Sequence, residues 1–222
     1  FQRLVEAYGG WTGTSPTDES TVMRAAGLTV AGVEGDTALE KLTTTADWAR
    51  AETLLHSRLV PRTGIGFDVH AFAGKGPIMM GGIEVPHERG LAGHSDADVV
   101  LHSITDALLG AAGLGDIGQH FPPGDPQWKG ADSSIFLSHA AELVRGAGGT
   151  IDFVDCTVIC ESPKVGPHRE SMRARVSEIL GIATGSVSIK ATTTERLGFT
   201  GRREGIAAQA IANVRMPSAG FS

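Results

Sequence analysis

The sequence predicts an α/β or α+β domain, and three observations lead to that fold class. From residue 63 to residue 215, strand-like segments alternate with helical segments of roughly 12–16 residues. Apolar residues make up 41% and charged residues 20% of the 222 residues, as in folded globular proteins. The 30 glycines are about twice the usual share. They predict tight turns and backbone that approaches a ligand closely, around 64–66, 113–118 and 198–205.

The first 60 residues predict a helix, a loop, a helix, a strand and a helix, in that order. Residues 17–20 begin a helix, and 28–33 form a short strand. The last helix covers 43–55 and is capped by Thr44 or Thr45. Its apolar face carries Trp48, Ala51, Leu54 and Leu55.

The part of the chain from residue 63 on predicts a longer series of elements. A strand at 65–70 precedes a hairpin at 78–85 that turns at its two glycines. The capping box Ser95-Asp96-Ala97-Asp98 opens a helix that ends near residue 110 or 112, before a loop rich in glycine and proline. Further helices are predicted at 133–146 and within 165–180, strands at 151–160, 187–193 and 206–215, and a loop at 194–205.

Charge and cysteine content narrow the classes of function and the compartment. Acidic residues exceed basic ones by six, which argues against a broad nucleic-acid surface but leaves a local anion pocket open. Without a run of about 18 apolar residues, no membrane span is expected. Cys156 and Cys160, too few for a disulfide framework, predict a reducing, cytoplasmic setting. The chain starts without methionine or a signal peptide and reads as a fragment of a longer protein.

Asp68-x-His70 on a strand and His102 on a helix are candidate metal ligands. Residues two apart on a strand point to the same face. Two imidazoles and a carboxylate can hold Zn²⁺ and leave a fourth position open for catalysis. From spacing alone, an Asp-x-His pair is more often a surface ion pair or a satisfied core histidine than a metal site.

Two further segments suggest anion binding. His94 and Ser95 flank a predicted helix N-terminus, where backbone N–H groups favour anions; Ser95 could also be an ordinary helix cap. Residues 190–202 place hydroxyls, a carboxylate, glycines and an arginine after a strand. Hydroxyls and arginine suit phosphate oxygens, and a lone carboxylate suits Mg²⁺ held by substrate phosphates. A threonine-rich strand with a charged turn would look the same. The P-loop, dinucleotide-binding, H-E-x-x-H and G-x-S-x-G patterns are all incomplete.

Four motifs in one order closely resemble the 2-C-methyl-D-erythritol 2,4-cyclodiphosphate synthase family, over about residues 62–217. They are Gly64-Ile65-Gly66-Phe67-Asp68-Val69-His70-Ala71-Phe72, the segment from Gly93 to His102, Gly115-Asp116-Ile117-Gly118, and the segment from Ala191 to Arg202. The resemblance implies a mixed β-sheet with helices on one face. It also implies that three sheets pack into a homotrimer with active sites at the subunit interfaces.

Residues 1–59 resemble a different family, the C-terminal tail of 2-C-methyl-D-erythritol 4-phosphate cytidylyltransferase. The matching segments are 17–20, 33–36 and 41–44. The resemblance implies a truncated bifunctional fusion: a cytidylyltransferase fragment at 1–59, a linker at 60–62, the synthase domain at 63–217 and a tail at 218–222. Lys41 matches a lysine that positions methylerythritol phosphate but lacks its partners, so no cytidylyltransferase activity is expected.

The synthase resemblance assigns a role to each matching residue. Asp68, His70 and His102 would bind Zn²⁺ or another divalent transition metal, and Glu195 would bind Mg²⁺ or Mn²⁺. His94 and Thr193 would act in catalysis. Substrate contacts would come from Asp68, His70, His94, Ser95, Asp116, Ile117, Gly118, Phe121, Asp125, Thr192, Thr193, Thr194, Glu195, Phe199 and Arg202. The cytosine pocket would be formed by Cys160, Glu161, Ser162, Pro163, Lys164, Val165 and Gly166.

The reaction that this resemblance implies is a cyclisation. The 2-phosphate of 4-diphosphocytidyl-2-C-methyl-D-erythritol 2-phosphate attacks its own β-phosphorus, and CMP leaves. Pro123 and Gly124 stand where many relatives carry an Asp-Thr or Asp-Ser pair, and Arg196 stands where lysine is common. The rival hypotheses are a metal-dependent diphosphohydrolase and a non-catalytic cytidine-nucleotide binding module.

Overall fold

The computed structural model describes residues 1–35, 41–57, 59–122 and 124–218. The chain divides into two compact units, Phe1–Ala51 and Glu52–Ser222. Two residues covered by the sequence predictions, Asp36 and Pro123, lie outside the described residues. The predicted tail lies outside them from residue 219 on.

The first unit contains helices α1 (Gln2–Gly9) and α2 (Glu19–Ala25) and the start of α3 (Thr45–Ser57). Asp18 caps α2 by accepting the Thr21 N–H at 2.9 Å. Thr44 is the cap of α3: its hydroxyl accepts the Asp47 N–H at 3.2 Å, and its own N–H donates to the Asp47 carboxylate at 2.8 Å. The side chain of Leu55 lies outside the described residues.

The strand predicted at 28–33 is wrong, because these residues adopt no regular secondary structure. A strand gains its stability from hydrogen bonds to a neighbouring strand. Within the described residues of the first unit there is no strand with which this segment could pair.

The second unit is built on a mixed five-stranded sheet. Its strands are β1 (Leu59–Ala73), β4 (Gly90–Leu91), β5 (Thr150–Ile159), β6 (Val187–Thr192) and β7 (Gly205–Pro217), while β2 (Ile78–Met80) and β3 (Ile83–Val85) form a separate hairpin. The order in the sheet is β4-β1-β7-β5-β6, with β5 and β6 parallel and the other pairs antiparallel. The expected fold class is confirmed.

Residues 60–62 do not form the expected linker. They belong to β1 and pair with residues 214–216 of β7. The prediction began this strand too late, at residue 65, because Pro61 was expected to break the pattern. A proline is compatible with the edge or end of a strand, where its missing N–H leaves no bond unmade.

Helices cover one face of the sheet, and the other face is open in the described chain. The helices are α4 (Val99–Ala112), α5 (Ile117–His120), α6 (Ser134–Gly146), α7 (Arg169–Leu180) and the single turn α8 (Gly198–Gly201). Inward-facing residues of the strands join the buried core, whereas Ile65, Phe67, Val69 and Ile211 are 39–64% exposed on the open face. No helix among the described residues combines the length and apolar character that a membrane crossing needs.

The cap of helix α4 lies three residues later than Ser95, the first residue of the predicted capping box. Asp98, not Ser95, is its cap, and it accepts the N–H groups of Val100 and Leu101 at 3.0 Å. The same buried carboxylate accepts the N–H groups of Gly81 and Gly82 at 2.8 and 2.7 Å. These four bonds fix the β2–β3 turn against α4 and free Ser95 for another contact.

Gly64 and Gly66 lie against a helix, so the close approach expected for residues 64–66 is made to the backbone of α4. A Cβ atom on either glycine would lie about 2 Å from a backbone carbonyl of α4, at Ala107 or Ser103. Because β1 carries no side chain at these positions, α4 packs directly on the strand. This contact places His102 opposite the next two inward-facing residues of β1.

Candidate active site

Three of the predicted ligands lie together where β1 passes under α4. The Asp68 carboxylate oxygen Oδ2 is 3.0 Å from His70 Nε2 and 3.0 Å from His102 Nδ1. The two ring nitrogens are 3.2 Å apart. All three side chains are partly buried and form a group that could hold a metal ion. We call these residues the triad.

Hydrogen bonds outside the triad fix which nitrogens face inward. His70 Nδ1 lies 2.7 Å from the Ala92 carbonyl oxygen, which can only accept, so Nδ1 carries the hydrogen. The Nε2 lone pair of His70 is therefore left for a ligand. His102 contacts Ser133 and Ser95 through Nε2, at 2.8 and 3.1 Å, and turns Nδ1 toward Asp68.

The three atoms that converge in the triad suit a divalent cation as ligands. Three acceptor atoms, a carboxylate oxygen and two imidazole nitrogens, converge within 3.2 Å of one another. Such a group is stable only when a cation or additional protons lie between its atoms. Two nitrogens and one oxygen suit Zn²⁺ and similar transition metals, with a position left for a substrate oxygen.

Within the triad, the carboxylate of Asp68 and a protonated imidazole stabilise each other's charge. Burial favours the neutral carboxyl of Asp68, but hydrogen bonds from His102 and His70, when these imidazoles carry a proton on the nitrogen that faces Asp68, hold its pKa well below the ordinary value. Burial also opposes a charge on His70, yet the hydrogen bond to Asp68 raises the pKa of this imidazole. Protons and a metal ion would therefore compete for the same lone pairs.

The triad opens into a cavity of about 180 Å³. Of the predicted substrate residues, His94, Ser95, Ile117, Gly118 and Phe121 line it together with His70 and His102. His94 is exposed at the mouth of this cavity.

Other residues of the predicted loop have structural roles next to the cavity. Asp116 caps α5 by accepting the Gln119 N–H at 3.0 Å, and Asp125 caps the short turn at 126–128. The Ile117 N–H donates to Asp106 at 2.8 Å, which anchors α5 to α4.

Sequence reasoning missed two aromatic residues of the cavity wall, Trp128 and Phe136. Their rings pack around Phe121, at 4.9 and 4.5 Å between centroids. Phe136 occupies a buried position on α6, and its helical periodicity indicated only burial. Neither residue belongs to a motif of polar groups that would have indicated a ligand.

A second cavity of about 220 Å³ lies at the carboxyl ends of the parallel strands β5 and β6. Its wall contains most of the predicted cytosine pocket and the adjoining threonines: Cys160, Pro163, Lys164, Val165, Gly166, Thr192 and Thr193, with Arg169 and Ala191. The Cys160 N–H donates to the Thr192 carbonyl at 3.1 Å and holds the two strand ends together.

The loop after β6 is folded back on itself. Thr193 donates its hydroxyl hydrogen to Glu195 at 2.6 Å, and the Thr194 and Thr200 hydroxyls are 2.9 Å apart. Glu195 and Arg196 have φ angles of +52° and +64°, a conformation that is costly for side-chain-bearing residues.

The remaining predicted residues surround this loop. Glu161 accepts the Arg196 N–H at 3.1 Å. Arg202 pairs with Glu204 at 2.8 Å at the surface, and Phe199 is 37% exposed. Ser162 precedes Pro163 and lines a neighbouring groove with Arg89 and Arg203.

The triad and the second cavity do not meet within one chain. Val69, Ala207, Ile159 and Thr192 lie in one row across the sheet. Three strand spacings of about 4.8 Å therefore separate Thr192 from β1, or roughly 14 Å. Since residues in one row share a face, Thr192 points away from the face that carries Asp68 and His70.

Comparison with known proteins identifies relatives for both parts of the chain. The YgbB family matches residues 61–215. The bifunctional enzyme IspD/IspF of Rhizorhabdus wittichii is 58% identical over 216 residues, covering 97% of this chain and 56% of that protein. The chain thus spans about half the length of this curated relative.

Solved structures give the same result. The bifunctional IspDF from Campylobacter jejuni superposes with a TM-score of 0.70 at 36% identity, covering 97% of this chain and 57% of that one. A 2C-methyl-D-erythritol-2,4-cyclodiphosphate synthase bound to CDP superposes with a TM-score of 0.64 at 33% identity, covering 69% of this chain and 99% of that one.

Proposed function

The chain belongs to the YgbB family, and we propose that its second unit is a 2-C-methyl-D-erythritol 2,4-cyclodiphosphate synthase. It would convert 4-diphosphocytidyl-2-C-methyl-D-erythritol 2-phosphate to the cyclic diphosphate and CMP, a step of non-mevalonate isoprenoid biosynthesis. The observation that carries the proposal is the triad, whose three acceptor atoms converge at the wall of a cavity.

The triad suits Zn²⁺ or another divalent transition metal, and Glu195 suits Mg²⁺ or Mn²⁺ held together with substrate phosphates. When bound, these ions supply Lewis-acid charge to the phosphate oxygens. The local positive charge explains how a chain with net charge −6 can handle a substrate that is itself an anion.

The residues of the chain mainly position the reacting groups. The attacking 2-phosphate is already anionic, so no strong protein base is required. Exposed His94 at the cavity mouth would donate a hydrogen bond to the developing charge. Thr193, which donates to Glu195 in this structure, would exchange that acceptor for a phosphate oxygen on which charge develops.

Assembly into a homotrimer would bring the two halves of the site together. Within one chain, the triad and Thr192 face opposite sides of the sheet, so one substrate molecule needs the triad of one copy and the second cavity of another. The open sheet face carries exposed Ile65, Phe67, Val69 and Ile211. Such a row of apolar side chains favours burial against another sheet.

For residues 1–59 we propose a fragment of a cytidylyltransferase domain, as in the bifunctional relatives, without activity of its own. Lys41 is exposed here. The synthase domain would extend over 63–217, although its first strand, β1, already begins at Leu59.

Phosphorus NMR distinguishes the proposal from its rivals. The chain is incubated with the diphosphocytidyl substrate, Zn²⁺ and Mg²⁺. A cyclic diphosphate together with CMP supports the synthase, whereas linear monophosphates indicate a diphosphohydrolase. Unchanged substrate that nevertheless binds to the chain would indicate a nucleotide-binding module.

A further inference from the structure

Ser133 connects the triad to the carboxylate of Asp96, which is not among the predicted site residues. Its hydroxyl oxygen lies 2.8 Å from His102 Nε2. The same hydroxyl donates a short hydrogen bond to the Asp96 carboxylate oxygen Oδ1. The Ser133 N–H donates to the other oxygen of Asp96 at 3.1 Å. Ser133 is fully buried, so water cannot replace these contacts.

The direction of these bonds follows from counting hydrogens. A serine hydroxyl has one hydrogen to donate. Asp96 can only accept as a carboxylate, so it takes that hydrogen, and Ser133 must accept from its other neighbour. His102 Nε2 therefore carries a hydrogen, and the lone pair of His102 is left on Nδ1, the atom that faces Asp68.

We propose that Asp96 and Ser133 are positioning residues that hold His102 in the tautomer able to bind a metal through Nδ1. The inference rests on the proposed metal site of the function above. Ser95, 3.1 Å from Nε2, cannot replace Ser133 in this role. The Ser95 hydroxyl has no carboxylate that takes its hydrogen among the contacts of the described residues, so it can donate to Nε2 as readily as accept.

Metal affinity tests the inference without an activity assay. Zn²⁺ affinity is measured by competition with a chromophoric chelator for the intact chain and for Ser133→Ala. Loss of an outer hydrogen bond to a ligating histidine weakens metal binding by about 10–100-fold, and that loss is expected for Ser133→Ala. Ser134→Ala removes the hydroxyl one residue further along and is the matched control, for which no change is expected.

A second variant tests the role of Asp96. Asp96→Asn keeps the size of the side chain but replaces one acceptor oxygen with a donor. The amide can then donate to the Ser133 hydroxyl, which turns the hydroxyl hydrogen toward His102 Nε2. We expect a loss of Zn²⁺ affinity similar to that of Ser133→Ala, and little further loss in the double variant, because the two residues act in series.

The tautomer itself is visible by ¹⁵N NMR of the imidazoles in the metal-free chain. We expect the hydrogen of neutral His102 on Nε2 in the intact chain and a shift toward Nδ1 in Asp96→Asn. Ser133→Ala that stays folded and binds Zn²⁺ as tightly as Ser134→Ala would overturn the inference, as would a neutral His102 whose hydrogen lies on Nδ1 in the intact chain. An intact chain that binds no Zn²⁺ would instead overturn the metal site of the proposed function.

Discussion

A Cβ atom on Gly66 would lie 1.9 Å from the carbonyl oxygen of Ser103, so β1 and α4 touch at a distance that only glycine permits. Ser103 is adjacent to His102 in sequence, and Gly66 is two residues before Asp68. The close contact of strand and helix therefore sets the separation of the metal ligands.

Replacement of Gly66 should disturb both stability and the metal site. Gly66→Ala would force α4 away from β1, at a cost of about 1–3 kcal/mol or more in the free energy of unfolding. Zn²⁺ affinity should fall as well, because His102 moves with the helix. Urea denaturation and chelator competition measure the two effects.

The control for this substitution lies on the same helix. A Cβ on Gly110 would meet nothing within 4 Å, so Gly110→Ala should be neutral or stabilise the chain by up to about 1 kcal/mol. If Gly66→Ala is as stable as Gly110→Ala, the close packing of α4 on β1 does not position the triad.

Asp98 should be among the most sensitive polar positions. Asp98→Ala leaves four N–H groups without their acceptor, on the β2–β3 turn and on the first turn of α4, and three of the four contacts are buried. We expect a loss of about 3 kcal/mol or more, since each unsatisfied buried group costs about 1–3 kcal/mol. Exposed Asp132 accepts one N–H, from Ser134 at 2.8 Å, and Asp132→Ala should cost about 1 kcal/mol. Equal losses in the two variants would contradict this assignment.

Both cysteines should be unreactive in the folded chain. Burial raises the pKa of Cys156 to about 12 and that of Cys160 to about 11, so neither forms a thiolate near pH 8. A chromogenic disulfide reagent at pH 8 should react with the chain only after denaturant is added, and then with two thiols. Rapid reaction of a folded cysteine would show that its environment is open.

The open face of the sheet should control assembly. Phe67 is 56% exposed there, and Phe67→Asp would place a carboxylate in the proposed contact between sheets, where burial of the charge is costly. Light scattering should then give the mass of a monomer in place of a trimer. Ile135→Asp, at a 48% exposed position of α6, is the control and should leave the trimer unchanged.

The sequence predicted the elements whose stability is local and missed what depends on distant partners. The β2–β3 hairpin and helices α4, α6 and α7 follow from turn residues and periodicity. The strand expected at 28–33 needed a neighbour that the described residues do not supply. The cap of α4 is Asp98 and not the expected Ser95, because the Asp98 carboxylate also accepts hydrogen bonds from the hairpin turn, 16 residues earlier in the chain.

The candidate site shows the same division. Asp68, His70 and His102 could be named from their order in the chain, because two of them share a strand face. The contact between Asp96 and Ser133 could not be predicted, since 37 residues separate them and the capping box that contains Asp96 indicates only the start of a helix. The separation of the two cavities likewise depends on sheet register, which no local pattern contains.

Complementation between two inactive variants tests the central claim most directly. His102→Ala removes a triad ligand and Thr193→Ala alters the second cavity, so each alone should form little cyclic diphosphate. In randomly mixed trimers about one quarter of the interfaces would combine an intact triad with an intact second cavity. Co-expression of the two variants should therefore restore about a quarter of the activity, measured as cyclic diphosphate by phosphorus NMR. Co-expression of His102→Ala with Asp68→Ala should restore none. If the His102→Ala and Thr193→Ala mixture also stays inactive while its trimers form, a site shared between copies is contradicted.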